Sequence, residues 1–475
     1  MGVDARRAQV VVVGGGFGGL YALRRLERLL APDDADLVLI SPTDYLVYSP
    51  LLPDVTSSTL EPRHVAVSLR QTLPKTRLVV ARAQTVDRAA HTIEVVMCER
   101  GEPERVVTLH WDRLLLAPGS VTREFPIAGV SEQAHGVKTL TEAVFVRDHL
   151  LTQLDIADSL PREPAYDAAR RERMTVVAVG AGYTGTEVVA QTHRWLSTVV
   201  SRWSHLDPSD VRWVLVDLAP AVLPELGPRL GDYALKVLRE RGIEVRLGVS
   251  VASVSGHTIT LTDGTAIPSR TLIWSAGITA NPLTATLGLP LSRGRLITDA
   301  QMRADEHIWA LGDAAAVPDL AQPAASSESE PVTAPTAQHA QRQGNTVGRN
   351  IAASLGRGTA RSYRHPDLGL VADLGGTKAV ARPLGIEITG VPAKLVARGY
   401  HLMALPSNGN RIRVLTDWIH NALLPPQSAS LALVHPQDAL IASAQHTHLS
   451  APRRPSQESE LADQRRPNNT DDQSP

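Results

Sequence analysis

"VVAVGAGYTGTE", Val176–Glu187, places Gly180, Gly182 and Gly185 in the spacing G-x-G-x-x-G, directly after an apolar β-branched run. Each glycine in such a turn has a physical task. The first allows a tight turn, the second lets backbone approach a pyrophosphate, and the third lets the following helix pack closely on the strand. The helix N-terminus supplies free N–H groups and the positive end of its dipole. Near the start of the chain, "VVVVGGGFGGL", Val10–Leu20, repeats the arrangement with Gly14, Gly16 and Gly19. One polypeptide therefore carries two turns suited to dinucleotides.

Outward from the first turn, Gln9–Val13 reads as a buried parallel strand and Asp36–Ser41 as the next one. Between them Leu20, Leu23, Leu26 and Leu30 fall on one side of a helix. The second unit starts at Met174 and reaches its next strand at Val211–Asp217. Asp217 ends that strand, where a carboxylate can hold a ribose 2′-hydroxyl; no Arg follows it, which favours NADH over NADPH. A solvated strand-end acid is the competing reading. In the first unit Ser41 stands where an acid is expected; Asp44, or Ser41 itself, is left to bond the ribose. Residues 77–120 read as short β pieces, 140–160 and 336–355 as helices, and 159–173 as a polar connector. The composition after His446 reads as a disordered tail.

The bulk numbers are compatible with this α/β reading. The 475 residues suffice for two or three domains. A net charge of -1 gives no electrostatic reason to expect nucleic acid. The single cysteine, Cys98, leaves no intrachain disulfide, no C-x-x-C redox pair and no cysteine metal cluster; it reads as a structural thiol, and no metal is expected. The uncharged run Val10–Leu23 is too short and Gly-rich to span a bilayer, and the N-terminus lacks a signal-peptide core. The expected location is the cytosol or a membrane surface facing it.

Three further stretches follow in order. "DRLLLAPGS", Asp112–Ser120, looks like a crossing between domains, "TLIWSAG", Thr271–Gly277, like the return crossing, and "IWALGDAA", Ile308–Ala315, like a second flavin motif. With the two glycine turns they resemble the two-dinucleotide-binding-domain flavoproteins over about residues 8–350. The resemblance implies FAD at the first turn and NADH at the second, with Asp313 on the ribitol chain. It also implies cofactor contacts at Phe17, Gly18, Ser41, Ala83, Ala117, Gly119, Gly277 and Gly312. The expected fold is α/β, two Rossmann-like domains with the FAD domain split by the NADH domain, plus a C-terminal helical membrane-associating module. Expected divisions are 8–135 and 296–385 for FAD, 136–295 for NADH, 386–445 for the module and 446–475 for the tail.

Without a cysteine pair the electrons need an external acceptor. "DYLVYSPLLPDVTSST", Asp44–Thr59, resembles a segment of type II NADH dehydrogenases through Pro50, Leu51 and Leu52. "PTAQHAQRQG", Pro335–Gly344, resembles their quinone motif A-Q-x-A-x-Q through Ala337, Gln338 and Ala340, with Arg342 replacing the last Gln between Gln341 and Gln343. This resemblance implies a membrane quinone docking near Gln338, with Ala337 beside the flavin. It places Glu187 near nicotinamide and flavin, and Lys378 of "LGGTKAV" close to the flavin. The bland alternatives are a Gln-rich amphipathic helix, a carboxylate serving the helix dipole, and a solvated lysine.

At the C-terminal end, Lys394, Arg398 and His401 form one polar stripe on an otherwise apolar helix, Val391–Leu405. The segment Asn410–Leu424 places Ile412, Leu415, Ile419 and Leu423 on one face, with Trp418 beside it. Both read as interfacial helices with basic side chains reaching anionic headgroups; a dimer interface, or a helical pair packed on the flavin domain, is the alternative. The expectation is thus a non-pumping NADH:quinone oxidoreductase, peripheral on the cytoplasmic side of the cell membrane, with a homodimer left open. Its rivals are a soluble NADH-dependent reductase of a protein carrier such as ferredoxin, and a flavin- and NADH-binding sensor.

Overall fold

The computed structural model describes residues 7–97, 104–322, 331–365 and 368–443. Cys98 and the 446–475 tail lie outside the described residues. Two parallel sheets organise the chain. The first runs Arg303–Asp305, Ile308–Ala310, Arg113–Leu116, Ala8–Val13, Ala35–Ser41, Thr76–Val80, parallel except for the edge hairpin Arg303–Ala310. Val13 is level with Ile40 on one side and Leu116 on the other. This register brings the Gly14 turn, Ser41 and Ala117 to one edge, where open α/β sheets bind ligands.

The second sheet runs Ala134–His135, Thr271–Trp274, Thr175–Val179, Arg212–Asp217, Glu244–Leu247, all parallel. Its middle strand Thr175–Val179 is wholly buried, as a strand covered on both faces must be. The outgoing chain, Ser120–Thr122, pairs antiparallel with the returning chain, Ile278–Ala280. The two crossings thus form one ribbon, a pairing between segments some 160 residues apart that local pattern cannot reveal.

The sheets do not follow the expected divisions everywhere. Ala134–His135 forms the edge of the second sheet, just before the boundary placed at 135. Leu283 and Leu287 pack in the first core, ahead of the boundary at 295. Ala372, Leu374 and Val380 join the second core, because the small sheet of Val371–Asp373, Ala379–Ala381 and Ile388–Thr389 packs against the helix Tyr183–Val199. The polar connector ends in a short helix, Asp167–Arg173.

The C-terminal helices Gly390–Ala404 and Asn408–Leu423 correct the reading of the polar stripe. The stripe faces inward. Lys394 is buried and ion-paired with Asp373, Arg398 lies 4.9 Å over the Trp418 ring, and His401 Nδ1 is 3.2 Å from the Tyr48 hydroxyl. Trp418 is buried as well. Ala393 and Ala397 share the inward face, and their small size lets the longer polar chains reach the acids beneath. Val391, Leu395, Met403, Ile412, Leu415, Ile419 and Leu423 are left on the outside. The second helix is pinned to the first domain: Asn410 donates to the carbonyls of His64 and Ala66, and Asp417 meets His64 Nδ1 at 2.6 Å. These helices are therefore not a detachable module. Among the described residues no helix is long and apolar enough to cross a membrane.

Candidate functional site

The two glycine turns have the same shape. Gly14 and Gly180 take φ of +103° and +107°, the left-handed region that suits glycine. Gly16 and Gly182 share φ -74° and ψ -167°, and a Cβ on either would meet nothing within 4 Å. A Cβ on Gly19 would lie 2.0 Å from the Gly14 carbonyl oxygen, and one on Gly185 would lie 1.9 Å from that of Gly180. The outer glycines are thus required by close approach within the fold, and the middle ones face open space. Neither helix has a side-chain cap or an acid in its first turn. Their leading N–H groups are free to meet a phosphate, so both cradles fit a dinucleotide.

A cavity of about 840 Å³ joins the two units. Gly16, Phe17 and Gly18 line it from the first turn, and Tyr183, Thr184 and Glu187 from the second helix. Ala117, Gly119, Gly277, Gly312, Asp313, Ala337 and Gln338 complete most of the expected set, beside Pro50 and Leu52. Tyr400 and His401 of the first C-terminal helix form another wall. Gln338 Nε2 lies 3.5 Å from the Tyr400 hydroxyl, and its Oε1 lies 3.5 Å from the Leu368 N–H. These long contacts leave its amide free for a stronger partner.

The pyridine nucleotide-disulphide oxidoreductase family matches residues 8–344. The chain is 30% identical over 430 residues to the type II NADH:quinone oxidoreductase NdhA of Mycobacterium tuberculosis, covering 87% of this chain and 86% of that one. It belongs to the type II NADH:quinone oxidoreductase family. It is also 26% identical over 404 residues to the type II NADH:quinone oxidoreductase of Staphylococcus epidermidis, covering 82% of this chain and 94% of that protein. In fold it is similar to the solved NDH2 of Plasmodium falciparum in complex with NADH, with a TM-score of 0.79, 19% identity, and coverage of 89% of this chain and all of the other.

In this type II chain the other expected residues take distinct places. Asp217 accepts from the backbone N–H of Ala181 and, at 2.7 Å, of Ala219. It therefore shapes the second turn, and it stands level with the Leu247 strand end at the sheet edge. Ser41 is buried at its strand end, where its hydroxyl accepts weakly from Thr43 N–H at 3.4 Å; Asp44 is exposed. Ala83 sits opposite Val95 in the antiparallel excursion and does not line the cavity. Lys378 lies at the exposed tip of the Asp373–Ala379 hairpin, away from the cavity. Two other lysines lie close by: Lys138 lines the cavity, and Lys394, from the stripe that was expected to face headgroups, is buried against Asp373.

Lys394 belongs to a buried polar group under the cavity. Glu187 is the fifth residue of its helix and so lies beyond the first turn, where an acid best serves the dipole. Its Oε1 accepts the Asp373 N–H at 2.7 Å. Burial pushes its carboxyl well above the usual range, and the nearby Asp373 and Asp54 charges add to this against that N–H and Lys394. Burial likewise raises Asp54 to about 6, assisted by Asp373 and opposed by Lys394, Arg398 and the Trp418 N–H. Burial lowers His401 to about 4, so it is neutral at pH 7.

The sequence reading passed over two supports. Gln343, fully buried, accepts the Gly312 N–H at 2.8 Å and donates to Thr333. Gly344 and Gly348 let the helix Ala337–Ser354 lie against the first glycine-turn helix; a Cβ on Gly344 would come within 2.4 Å of the Gly18 carbonyl oxygen. A glycine pair four residues apart inside a helix was the available signal.

Proposed function

We propose that this chain oxidises NADH and reduces a membrane quinone, with FAD between them and without proton pumping. The observation that carries the reading is one continuous cavity, which runs from the first glycine turn past Glu187 to Gln338. FAD supplies hydride acceptance and onward electron transfer. The residues supply placement. The Gly14–Gly19 turn and Asp313 hold the flavin dinucleotide, and the Gly180–Gly185 turn and Asp217 hold NADH. Glu187, whose carboxyl burial pushes well above the usual range, is placed to hold or pass a proton within the site. The Gln338 amide donates to a quinone carbonyl. Phe17, Pro50 and Leu52 exclude water from the reacting edge.

The membrane reading rests on the outward apolar row Val391, Leu395, Met403, Ile412, Leu415, Ile419 and Leu423. A contiguous apolar face of this kind suits burial at a bilayer surface. Leu384, which also lines the cavity, is 74% exposed on the same small sheet–helix unit, so a lipid-dissolved acceptor reaches the site from that side. The expected place is the cytoplasmic surface of the cell membrane. The decisive experiment is an absorbance record of purified protein given NADH and then a quinone analogue. Flavin bands should bleach and return. Bands that stay bleached with quinone but return with a ferredoxin-type carrier would favour the soluble reductase, and bands that never bleach would favour a sensor.

A further inference from the structure

Lys138 precedes the helix Leu140–Ser159, at the entry to the second domain. Its Nζ donates to the Ser120 hydroxyl at 2.8 Å, and that hydroxyl donates to Asp313 Oδ2 at 2.6 Å. All three residues line the large cavity. They come from three places: the domain entry, the outgoing crossing, and the turn Gly312–Ala314. The lysine backbone is clamped too, since Glu142 Oε2 accepts the N–H of Lys138 at 2.8 Å and of Thr139 at 2.6 Å. The ammonium is therefore placed rather than roaming.

We propose that Lys138 is a positioning residue for the flavin dinucleotide: it holds Ser120, Ser120 holds the Asp313 carboxylate, and its charge offsets that of the dinucleotide. The proposal rests on the assignment of Asp313 to the flavin. A dinucleotide brings a pyrophosphate of two negative charges into a cleft that already holds a carboxylate. A cation beside that carboxylate offsets its repulsion of the ligand and adds to the helix N-terminus that meets the phosphates. The groups facing Lys138 are Asp313 from the turn and Glu142 from the following helix; Arg295 lies beyond Asp313, its guanidinium engaged with the carbonyls of Ala315 and Thr333. Burial lowers Lys138 to about 8, with Asp313 and Glu142 opposing. Added negative charge raises it, so binding takes up a proton. Affinity is then highest below about pH 8 and falls above it by up to tenfold per pH unit, until the value in the complex is reached.

The test measures flavin released from dilute holoenzyme, by the fluorescence of the free flavin, from pH 6 to 10. Wild type should retain flavin at neutral pH and release it increasingly above pH 8. Lys138→Met should release at least tenfold more at pH 7, with a flat profile over that range. Lys138→Arg should restore retention and carry it flat to pH 10, because a guanidinium does not titrate there. Should Lys138→Met fail to fold, Lys138→Arg decides alone: a break near pH 8 in that variant would overturn the proposal. A Lys138→Met profile matching wild type would also overturn it. Asp313→Asn separates the premises. If it weakens retention while Lys138→Met does not, only the lysine is misassigned; if it changes nothing, Asp313 does not meet the flavin and the reading of the site fails first.

Discussion

Replacing Lys394 by Met tests whether the polar stripe of the first C-terminal helix is structural. The ammonium and the Asp373 carboxylate are each only 10% exposed and are in contact. A charge pair at contact in a partly buried setting attracts by about 4 kcal/mol. Removing one partner leaves the other buried and uncompensated, which costs about 3–5 kcal/mol. Here Asp54 also loses a favourable charge. Methionine fills similar volume, so packing loss is small. At about 2–4 °C per kcal/mol, the unfolding midpoint should fall by roughly 6–20 °C. Thermal unfolding followed by tryptophan fluorescence reads this, since Trp418 packs beside Asp54. Adding Asp373→Asn should recover more than half of the loss by removing the orphaned charge. A fall below about 2 °C in Lys394→Met would mean that the lysine is solvated, as a headgroup-facing residue would be, and the inward stripe would be refuted.

Four further outcomes follow from the site. Asp217→Arg should lower kcat/KM for NADH at least tenfold and favour NADPH, read by steady-state kinetics with both cofactors; an unchanged ratio would make Asp217 a purely structural acid. Gln338→Leu should slow flavin reoxidation by quinone about tenfold to hundredfold, the effect of losing a bond of about 1–3 kcal/mol, while reduction by NADH stays within twofold in stopped-flow absorbance. Asp54 is raised to about 6 in the fold, so its contribution is fully present below about pH 4 and is lost as pH rises through 6. Asp54→Asn should therefore flatten the stability profile between pH 4 and 6, by up to about 3 kcal/mol in chemical denaturation. Leu395→Glu with Ile419→Glu, both at exposed positions, should lower co-sedimentation with lipid vesicles at least tenfold without changing the unfolding midpoint; undiminished binding, or loss of a dimer instead, would reassign the apolar face to a second copy.

The glycine turns were legible because their demands are local: strand, tight turn and helix lie within a dozen residues. The same holds for Asp313 and Gln338, each carried by a short motif onto the cavity wall. Lys394 was misread for a physical reason. Helical periodicity separates two faces but does not say which one turns inward. That choice is made by Asp373 on the small sheet and by Asp54, 340 positions away in sequence. Lys378 attracted the reading by its motif-like surroundings, yet it occupies a hairpin tip, where a lysine is normally solvated. Lys138 carried no pattern at all, because its role depends on Ser120 and Asp313 arriving from two other parts of the chain.

The matched dihedral angles of Gly16 and Gly182 make the two cradles copies of one mould within a single molecule. A mould repeated so closely cannot tell its two guests apart. What surrounds the mould differs between the copies: at the strand ends a buried Ser41 stands in one and a carboxylate, Asp217, in the other, and Lys138, Ser120 and Asp313 form a linked group on the cavity wall. The molecule thus resembles a duplicated lock in which the barrel is repeated and the pins around it are cut differently. Retuning the guest of either half calls for changes at the rim, and the barrel can be left untouched.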